Sequence, residues 1–362
     1  MNRTALIEAF LARHGFANAT TIPLAQDASF RRYLRLSGGP RPAVLMDAPP
    51  PEDVRPFLRI AGHIVRMGLS APEIIAADEA NGLVLEEDFG DGLLLGGTGT
   101  EAGTGIGTPP PPGPLPQGEG VSSTTASSSL AVASSCSPIA PAVDALIALQ
   151  RAAPPRDLPT WDAPAMAQAA LGTLLDWWWP ATFGASPPPA ARGDFAAALA
   201  AMLRPLAGGP RCFVHRDFFA GNLVLLPRRS GPRRIGILDF QGAALGHPAY
   251  DLASLLQDAR QDTRPGVEDQ AIARYLALRP EFDPRSFRTA YAVCAAQRHL
   301  RVACQWVRLA VRDRRPHYLA HGPRTWRLLD AALAHPAAAP LAATMDRWIP
   351  PALRANPQGL GA

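Results

Sequence analysis

Residues 212–226 read CFVHRDFFAGNLVLL, a stretch that places polar side chains between two runs apolar enough to be buried. The run NLVLL (222–226) and the later run RIGILDF (234–240) have the composition of short strands, and RRSGP (228–232) predicts a turn between them. His215, Asp217 and Asn222 are therefore expected on a loop at the mouth of a small hairpin. Loops anchored in this way are where binding and catalysis concentrate.

Asp239 follows the second strand of this predicted hairpin. A tight hairpin brings its two outer ends together, so Asp217, Asn222 and Asp239 can converge on one point. One carboxylate can then orient or deprotonate a hydroxyl, while an amide oxygen and a second carboxylate hold Mg²⁺ between phosphates. Phosphoryl transfer needs such a set, because positioning and charge neutralisation supply nearly all of its catalysis. The loop therefore predicts a site for phosphoryl transfer assisted by Mg²⁺.

The first 91 residues predict a sheet with one helix. Apolar, β-rich runs occur before and after a segment with helical spacing at 54–69, and Asn81-Gly82 has the composition of a hairpin turn. The predicted strands cover residues 20–24, 30–36, 43–47, 73–78 and 82–89. Three strands, a helix and two strands indicate a five-stranded antiparallel sheet.

Residues 92–140 are rich in Gly, Thr, Pro and Ser and have few large apolar side chains. Such a segment cannot offset its ordering entropy, so we predict a disordered insert in an exposed loop; a ligand for a proline-binding partner is the alternative. Residues 141–350 have mainly helical spacing, and residues 351–362 are expected to form a flexible tail. The fold class is α+β, with an N-terminal lobe at 1–91 and a helical lobe at 141–350.

Composition limits the possible partners and compartments. The 362-residue chain contains no lysine, so its 35 Lys+Arg residues are all arginine, and its formal charge is only +4. No apolar run reaches the roughly 18–20 residues of a membrane span. The N-terminus predicts an amphipathic helix rather than a signal peptide, and four cysteines without paired spacing suggest free thiols. We expect a cytoplasmic monomer with a small-molecule substrate and neither nucleic-acid nor membrane partners.

The motif H-x-D-x-x-x-x-N followed by D-F resembles that of the aminoglycoside phosphotransferase and choline kinase family, which has the protein-kinase-like fold. The resemblance covers nearly the whole chain apart from the insert, and within the family it extends to the anomeric N-acetylmuramate/N-acetylglucosamine kinases of bacterial cell-wall recycling. Seven segments in the right order support it: DASFRRYLRL, VLMDAPP, GLVLEEDFGD, VDALIALQ, FVHRDFFAGNL, ILDFQGAALGHPAYDLASLLQDA and QRHLRVACQWVRLAVRD.

The resemblance implies roles for individual residues. Asp217 would be the base that faces the sugar hydroxyl, and Asn222 and Asp239 would be the Mg²⁺ ligands. His215 would brace the loop by hydrogen bonds. The EEDF segment (86–89) would be the hinge whose backbone holds adenine, which makes Glu87 and Phe89 nucleotide-site residues.

The chain departs from the family at the phosphates of the nucleotide. The expected strand lysine and helix glutamate are both missing, since the third strand reads AVLMDAPP and contains no cation. Arg31, Arg32 and Arg35 are the nearest positive charges. Arg32 shares strand parity with Leu34 and Leu36, so we expect it to turn inward onto the phosphates. Ala28 and Ser29 are assigned to the nucleotide from their order in the chain alone.

Candidates for the acceptor site come from the helical lobe. Trp178, in DWWWP (176–180), could stack on a sugar face, although core packing explains at least one of the three tryptophans better. Arg298 and His299 on the long predicted helix are further candidates, with Gln297 beside them. Arg301, Arg308 and Arg312 lie near one stripe of that helix. They form either a solvated face or a cleft lining that binds an anionic lactyl carboxylate. Asp251 is interpreted as a structural brace at a helix start.

Two other functions stay open at this point. The same chemistry could act on an aminoglycoside or another hydroxyl acceptor, but a polycationic antibiotic needs an acidic cleft and this helical lobe is rich in arginine. Alternatively, the chain could be a pseudokinase that binds nucleotide without turnover. The intact Asp217, Asn222 and Asp239 argue against that alternative, because a binding module has little need of the base.

Overall fold

The structure is a computed structural model, and it describes residues 2–24, 31–94 and 139–360. Ala28 and Ser29, Cys136 and residues 95–138 of the predicted insert lie outside this range. Within the described residues, no helix combines the length and the apolar character that crossing a membrane requires.

The N-terminal lobe is a five-stranded antiparallel sheet with a helix on each face. Its elements, in chain order, are α1 (Arg3–Arg13), β1 (Thr20–Pro23), β2 (Arg32–Ser37), β3 (Ala43–Asp47), α2 (Arg55–Arg66), β4 (Ile74–Asp78) and β5 (Leu83–Glu87). The strand order is β1-β2-β3-β5-β4, and every neighbouring pair is antiparallel. The predicted five-stranded sheet and its α2 helix are confirmed.

Both faces of this sheet are covered, and strand parity decides which face a side chain joins. On one face, Leu36, Leu45 and Leu85 pack with Phe10 of α1. On the other face, residues such as Met46 belong to a core that continues into the C-terminal lobe. A side chain on β2 can therefore join either of two different cores, depending on the face to which it points.

The C-terminal lobe is mainly helical, as predicted. Its elements are α3 (Ile139–Arg151), β6 (Thr160–Trp161), α4 (Ala163–Thr173), α5 (Trp179–Phe183), α6 (Pro189–Met202), β7 (Cys212–Val214), β8 (Leu223–Leu225), β9 (Ile235–Ile237), β10 (Ala244–Gly246), α7 (Ala249–Leu256), α8 (Val267–Leu278), α9 (Pro284–Arg312), α10 (Gly322–Leu333) and α11 (Ala339–Trp348). Strands β8 and β9 form the predicted antiparallel hairpin. A second sheet, β6-β10-β7, was not predicted, because its strands are two or three residues long and carry no readable period.

The hairpin also bonds to segments from the N-terminal side of the chain. The Leu225 N–H donates to the Gly92 carbonyl at 2.7 Å, and the Ile237 N–H donates to the Ser70 carbonyl at 2.7 Å. Leu94 is buried, and α3 begins at Ile139. The predicted insert was therefore too wide at both ends, since 92–94 and 139–140 belong to the folded lobes.

Residues 351–360 pack against the C-terminal lobe, so the prediction of a flexible tail is wrong for them. The Trp178 indole N–H donates to the Ala355 carbonyl at 2.9 Å. Arg354, whose side chain is 7% exposed, reaches Asp330 at 2.8 Å and Asp346 at 2.5 Å. These contacts fix a segment whose Pro, Gly and Ala content had suggested mobility. Cys212, Cys294 and Cys304 are free and buried, as predicted.

Candidate active site

The polar loop that follows β7 is anchored to α7 through its main chain. The His215 N–H donates to Asp251 Oδ2 at 2.6 Å, and the Arg216 N–H donates to Asp251 Oδ1 at 2.9 Å. Arg216 has a φ of 77°, so the chain reverses direction here in a conformation that non-glycine residues rarely adopt. Burial raises the pKa of Asp251 to about 7, although the two main-chain donors oppose this shift. Asp251 is thus the brace that the sequence suggested.

His215 links the two ends of the hairpin. Its Nδ1 is 3.3 Å from the Asp217 N–H, which can only donate, so Nδ1 must be the acceptor. Nε2 then carries the proton and donates to the Leu238 carbonyl at 2.9 Å. Burial lowers the pKa of His215 to about 4, which keeps the ring neutral near pH 7. The imidazole therefore holds the loop against the residue that precedes Asp239.

The structure brings Asp217, Asn222 and Asp239 together. Asn222 Nδ2 donates to the Asp217 carbonyl at 2.9 Å and lies 3.5 Å from Asp239 Oδ2. The Leu238 N–H donates to the Asn222 carbonyl at 2.9 Å, which aligns the two strands' outer ends. Asp239 has a φ of 57°, and its Oδ1 accepts from Gln241 Nε2 at 2.7 Å.

This group fits a hard divalent cation that is shared with a substrate. Since the Asn222 amide nitrogen is held by the Asp217 carbonyl, its oxygen is the atom left to act as a ligand beside the Asp239 carboxylate. Within the described residues, no three or more His, Cys, Asp or Glu side chains form a metal-binding cluster. Mg²⁺ does not need one, because it prefers oxygen and is usually bound by one or two protein side chains plus water and phosphates.

The Asp217 carboxylate faces a group of arginines on α9. Its Oδ1 lies 3.6 Å from Arg301 Nη2, and its side chain is 46% exposed. Burial acts to raise the pKa of Asp217, but the positive charges of Arg301 and Arg298 outweigh this effect and lower it. Asp217 is therefore ionised at neutral pH and able to accept a hydrogen bond from a hydroxyl group.

A cavity of about 300 Å³ lies between α4 and α9, and Arg216, the residue before Asp217, contributes to its lining. Its lining includes Trp177, Arg216, Arg301 and Arg308. The turn Leu174–Trp178 is π-helical, and such turns change the direction in which successive side chains point.

Trp178 is fully buried in the core, so its prediction as a sugar contact is wrong. Trp177, its neighbour on the π-helical turn, lines the cavity instead. Sequence reasoning did not separate the two, because it assumed regular helical phase through the three tryptophans.

The prediction for His299 is also wrong, since this residue points into the core. Its Nε2 is 2.7 Å from Gln257 Oε1, and burial lowers its pKa to about 3. Arg298 is 3% exposed and is not part of the described cavity lining. It affects Asp217 through its charge alone. Arg301, about one turn beyond Arg298 on α9, lies beside Asp217 and lines the cavity instead.

Arg32 does not face the interior that continues into the C-terminal lobe, which corrects the prediction for it. Its Nη2 pairs with Asp47 Oδ2, and Asp47 also accepts from Arg3 of α1. Arg32 has the parity of Leu34 and Leu36, as predicted, but that parity leads to the α1 face of the sheet. The prediction assumed that only one face of the sheet is covered.

Arg31 occupies the opposite face, beside Tyr33. Arg31 Nε donates to Glu52 Oε2 at 3.1 Å, and the Arg31 side chain is 7% exposed. Burial raises the pKa of Tyr33; the negative charges of Glu86 and Asp239 add to this shift, and Arg31 opposes it. Arg31 and Tyr33 thus lie in the part of the structure that reaches towards Asp239. Burial also raises the pKa of Glu86 to about 8, against the opposing charge of Arg31.

Glu87 and Phe89 connect the sheet to the hairpin through their side chains. Glu87 Oε1 pairs with Arg229, whose guanidinium lies 5.2 Å from the centroid of the Phe89 ring. The ring also covers Gly236, where an added Cβ would be 2.6 Å from it. These contacts join the end of β5 to the hairpin, and the role of the 86–89 backbone towards adenine stays a prediction.

Comparisons with known proteins identify the family of this chain. The model of the family described as "Phosphotransferase enzyme family" matches residues 20–95 and 137–290. The chain is 34% identical to an N-acetylmuramate/N-acetylglucosamine kinase of Caulobacter vibrioides, over 96% of this chain and 97% of that protein. It is 33% identical to a Pseudomonas aeruginosa protein of the same name, over 87% and 84% of the two chains.

Among solved structures, a choline/ethanolamine kinase family protein from Mesorhizobium loti superposes with a TM-score of 0.58 at 14% identity, covering 96% of this chain and 100% of that one. At this identity the likeness shows the fold alone. It confirms the protein-kinase-like, two-lobe architecture expected from the sequence.

Proposed function

The chain belongs to the phosphotransferase enzyme family, and we propose that it transfers the γ-phosphate of ATP to the anomeric hydroxyl of N-acetylmuramate or N-acetylglucosamine. The names of its relatives support the acceptor. The observation that carries the proposal is the position of Asp217. Its main-chain carbonyl accepts from Asn222, which lies beside Asp239, and its ionised carboxylate lies 3.6 Å from Arg301, which lines the cavity.

In the proposed mechanism Asp217 accepts the proton of the attacking hydroxyl. Arg301 keeps the carboxylate ionised before the reaction, and His215 and Asp251 fix the main chain that presents it. Asn222 and Asp239 would hold Mg²⁺, which when bound neutralises the charge on the transferred phosphate. Because the loop is already held by main-chain hydrogen bonds, little reorganisation of Asp217 is needed as the hydroxyl arrives.

Arg31 is the residue that we propose in place of the missing strand lysine. It lies on the sheet face that reaches towards Asp239, and its ion pair with Glu52 resembles a lysine–glutamate pair in charge. Arginine can bind phosphate oxygens through two parallel hydrogen bonds, so a single side chain can replace the ammonium group. The backbone of 86–89 would contact adenine, and the use of ATP together with buried thiols supports a cytoplasmic site of action.

The cavity also bears on the choice of acceptor. Three arginines line it, whereas Asp176 is the one acidic residue among the described lining. A polycationic aminoglycoside would be repelled by this charge, and a neutral or anionic sugar would not.

The test is to incubate the protein with ATP and Mg²⁺ and a panel of N-acetylmuramate, N-acetylglucosamine, an aminoglycoside and choline, followed by phosphorus NMR. We expect phosphate on the anomeric oxygen of an N-acetylated sugar. Asp217→Asn should lower kcat by about 10²- to 10⁴-fold, the range of general-base catalysis, while ATP affinity stays within a few-fold. Transfer to the aminoglycoside alone, or full turnover by Asp217→Asn, would contradict the proposal.

A further inference from the structure

We propose that Arg216, Arg301 and Arg308 form an anion subsite that binds the carboxylate of an acidic acceptor sugar while its anomeric hydroxyl faces Asp217. This inference rests on the proposed function and adds a specificity site to it. The ligand chemistry is a carboxylate carried by a pyranose, as in the lactyl group of N-acetylmuramate.

The three guanidinium groups come from two elements that meet at one cavity. Arg216 belongs to the polar loop between β7 and β8 (residues 215–222), which we call the catalytic loop. Its Cζ lies 4.0 Å from the centroid of the Trp161 ring. Arg301 and Arg308 are seven residues apart on α9, so they lie on nearly the same side of the helix, about 10 Å apart along its axis. A sugar placed in the cavity can therefore contact cations along its length.

The arginines have hydrogen-bonding capacity that the protein does not use. The Nε atoms of Arg216 and Arg301 are buried, and neither has a hydrogen-bond partner within the described residues. Buried donors are normally paired, so each of these atoms is a candidate contact for a ligand. Arg308 Nη1 donates to the amide of Gln305 at 3.3 Å, which leaves its positive charge uncompensated by that contact.

Negative charge at the cavity is too scarce to neutralise these residues. Asp176 lines the cavity, but its Oδ1 accepts from Arg192 Nη2 at 2.9 Å. Asp217 lies 3.6 Å from Arg301 and also faces the charge of Arg298. Several positive charges thus face one carboxylate, that of Asp217, and an anionic ligand would relieve their repulsion.

Arg308 is the subsite residue that lies apart from the catalytic loop, so its replacement tests the subsite alone. Arg301 and Arg216 both influence Asp217, so their removal would alter the chemistry as well as the binding of the acceptor. Arg308 lies two turns further along α9, and it lines the same cavity. Replacing it should therefore affect an acidic sugar selectively.

The first experiment compares N-acetylmuramate with N-acetylglucosamine, which lacks the carboxylate. We expect Arg308→Ala to lower the ratio of the two kcat/KM values by about 10- to 100-fold, the effect of losing one charge-assisted hydrogen bond. The change should lie in KM for N-acetylmuramate, and Arg308→Lys should restore part of it. Arg312→Ala is the matched control, because Arg312 lies one turn beyond on α9 and pairs with Asp313 at 2.7 Å. An unchanged ratio in Arg308→Ala would overturn the subsite.

The second experiment needs no turnover, so it separates this inference from the proposed function. Calorimetry measures the binding of N-acetylmuramate and of its methyl ester to the wild-type protein and to Arg308→Ala. We expect the acid to bind more tightly than the ester in the wild type, and Arg308→Ala to remove that difference. This result would support the subsite even if neither sugar were phosphorylated. Equal affinity of acid and ester in the wild type would overturn it.

Discussion

The catalytic loop and the cations around it are held by different kinds of contact. The loop is fixed through its main chain, since the His215 and Arg216 N–H groups bind Asp251 and the Asn222 carbonyl binds the Leu238 N–H. Arg31 and Arg301, in contrast, are placed by long side chains, each of which contacts a carboxylate and a neutral oxygen atom. The comparison indicates that main-chain hydrogen bonds hold the reacting groups in place, whereas arginine side chains set the charge around them. Loss of a loop anchor should therefore affect folding and turnover together, while loss of a cation should affect affinity or a pKa.

The largest effect is expected from Asp251→Ala. This change leaves the His215 and Arg216 N–H groups without their acceptor in a buried position, where each unpaired group costs about 1–3 kcal/mol. We expect the free energy of unfolding to fall by about 2–6 kcal/mol and kcat to fall with it. Urea denaturation and steady-state kinetics measure both. A variant with wild-type stability and turnover would show that the loop does not depend on this anchor.

Asp251→Asn is the matched control, because it keeps one acceptor oxygen and should lose less stability. It also allows a test by pH. The pKa of Asp251 is raised to about 7 in the folded protein, so its contribution to wild-type stability is present at low pH and is lost as pH rises towards 7. The deficit of Asp251→Asn relative to wild type should therefore be smaller at pH 8 than at pH 5. A deficit that grows with pH would contradict this assignment.

Arg31→Ala tests the cation on the nucleotide side. We expect the KM for ATP to rise about tenfold, which corresponds to roughly 1.4 kcal/mol, with a smaller effect on the KM for the sugar. Arg32→Ala is its control, because Arg32 pairs with Asp47 on the α1 face of the sheet. Steady-state kinetics with each substrate varied in turn provides the comparison. A larger effect from Arg32 than from Arg31 would reverse the assignment.

The smallest effect is expected from Arg301→Ala, measured as a change in the pH profile with N-acetylglucosamine as acceptor. The wild-type acid limb of kcat should lie well below neutral pH, because the pKa of Asp217 is lowered and that of His215 is about 4. Removing Arg301 raises the pKa of Asp217, so the acid limb should move to higher pH. No movement of the limb would show that Arg301 does not control the ionisation of Asp217.

The loop was predictable because its chemistry is local in the sequence. The motif containing Asp217 and Asn222 is directly followed by the hairpin, and the hairpin sets the position of Asp239. The sheet and α2 were predictable for a similar reason, since alternating and helical periods are visible within a short window.

The errors have a different origin, because they concern tertiary surroundings that no single segment encodes. Arg32 had the predicted parity, but the sheet has two covered faces, and α1 lies over the one that Arg32 joins. Trp177 lines the cavity and Trp178 lies in the core, because a π-helical turn interrupts the regular spacing of the α-helix. Residues 351–360 are fixed by Arg354 and by the Trp178 indole, whose partners are distant in the chain.

The most direct test is a crystal structure with a non-hydrolysable ATP analogue, Mg²⁺ and N-acetylmuramate, in which the distance from the anomeric oxygen to the Asp217 carboxylate is measured. We predict a separation of about 2.6–3.2 Å, the reach of a general base, with the lactyl carboxylate beside Arg308. An anomeric hydroxyl turned away from Asp217, with another side chain in contact with it, would contradict the account.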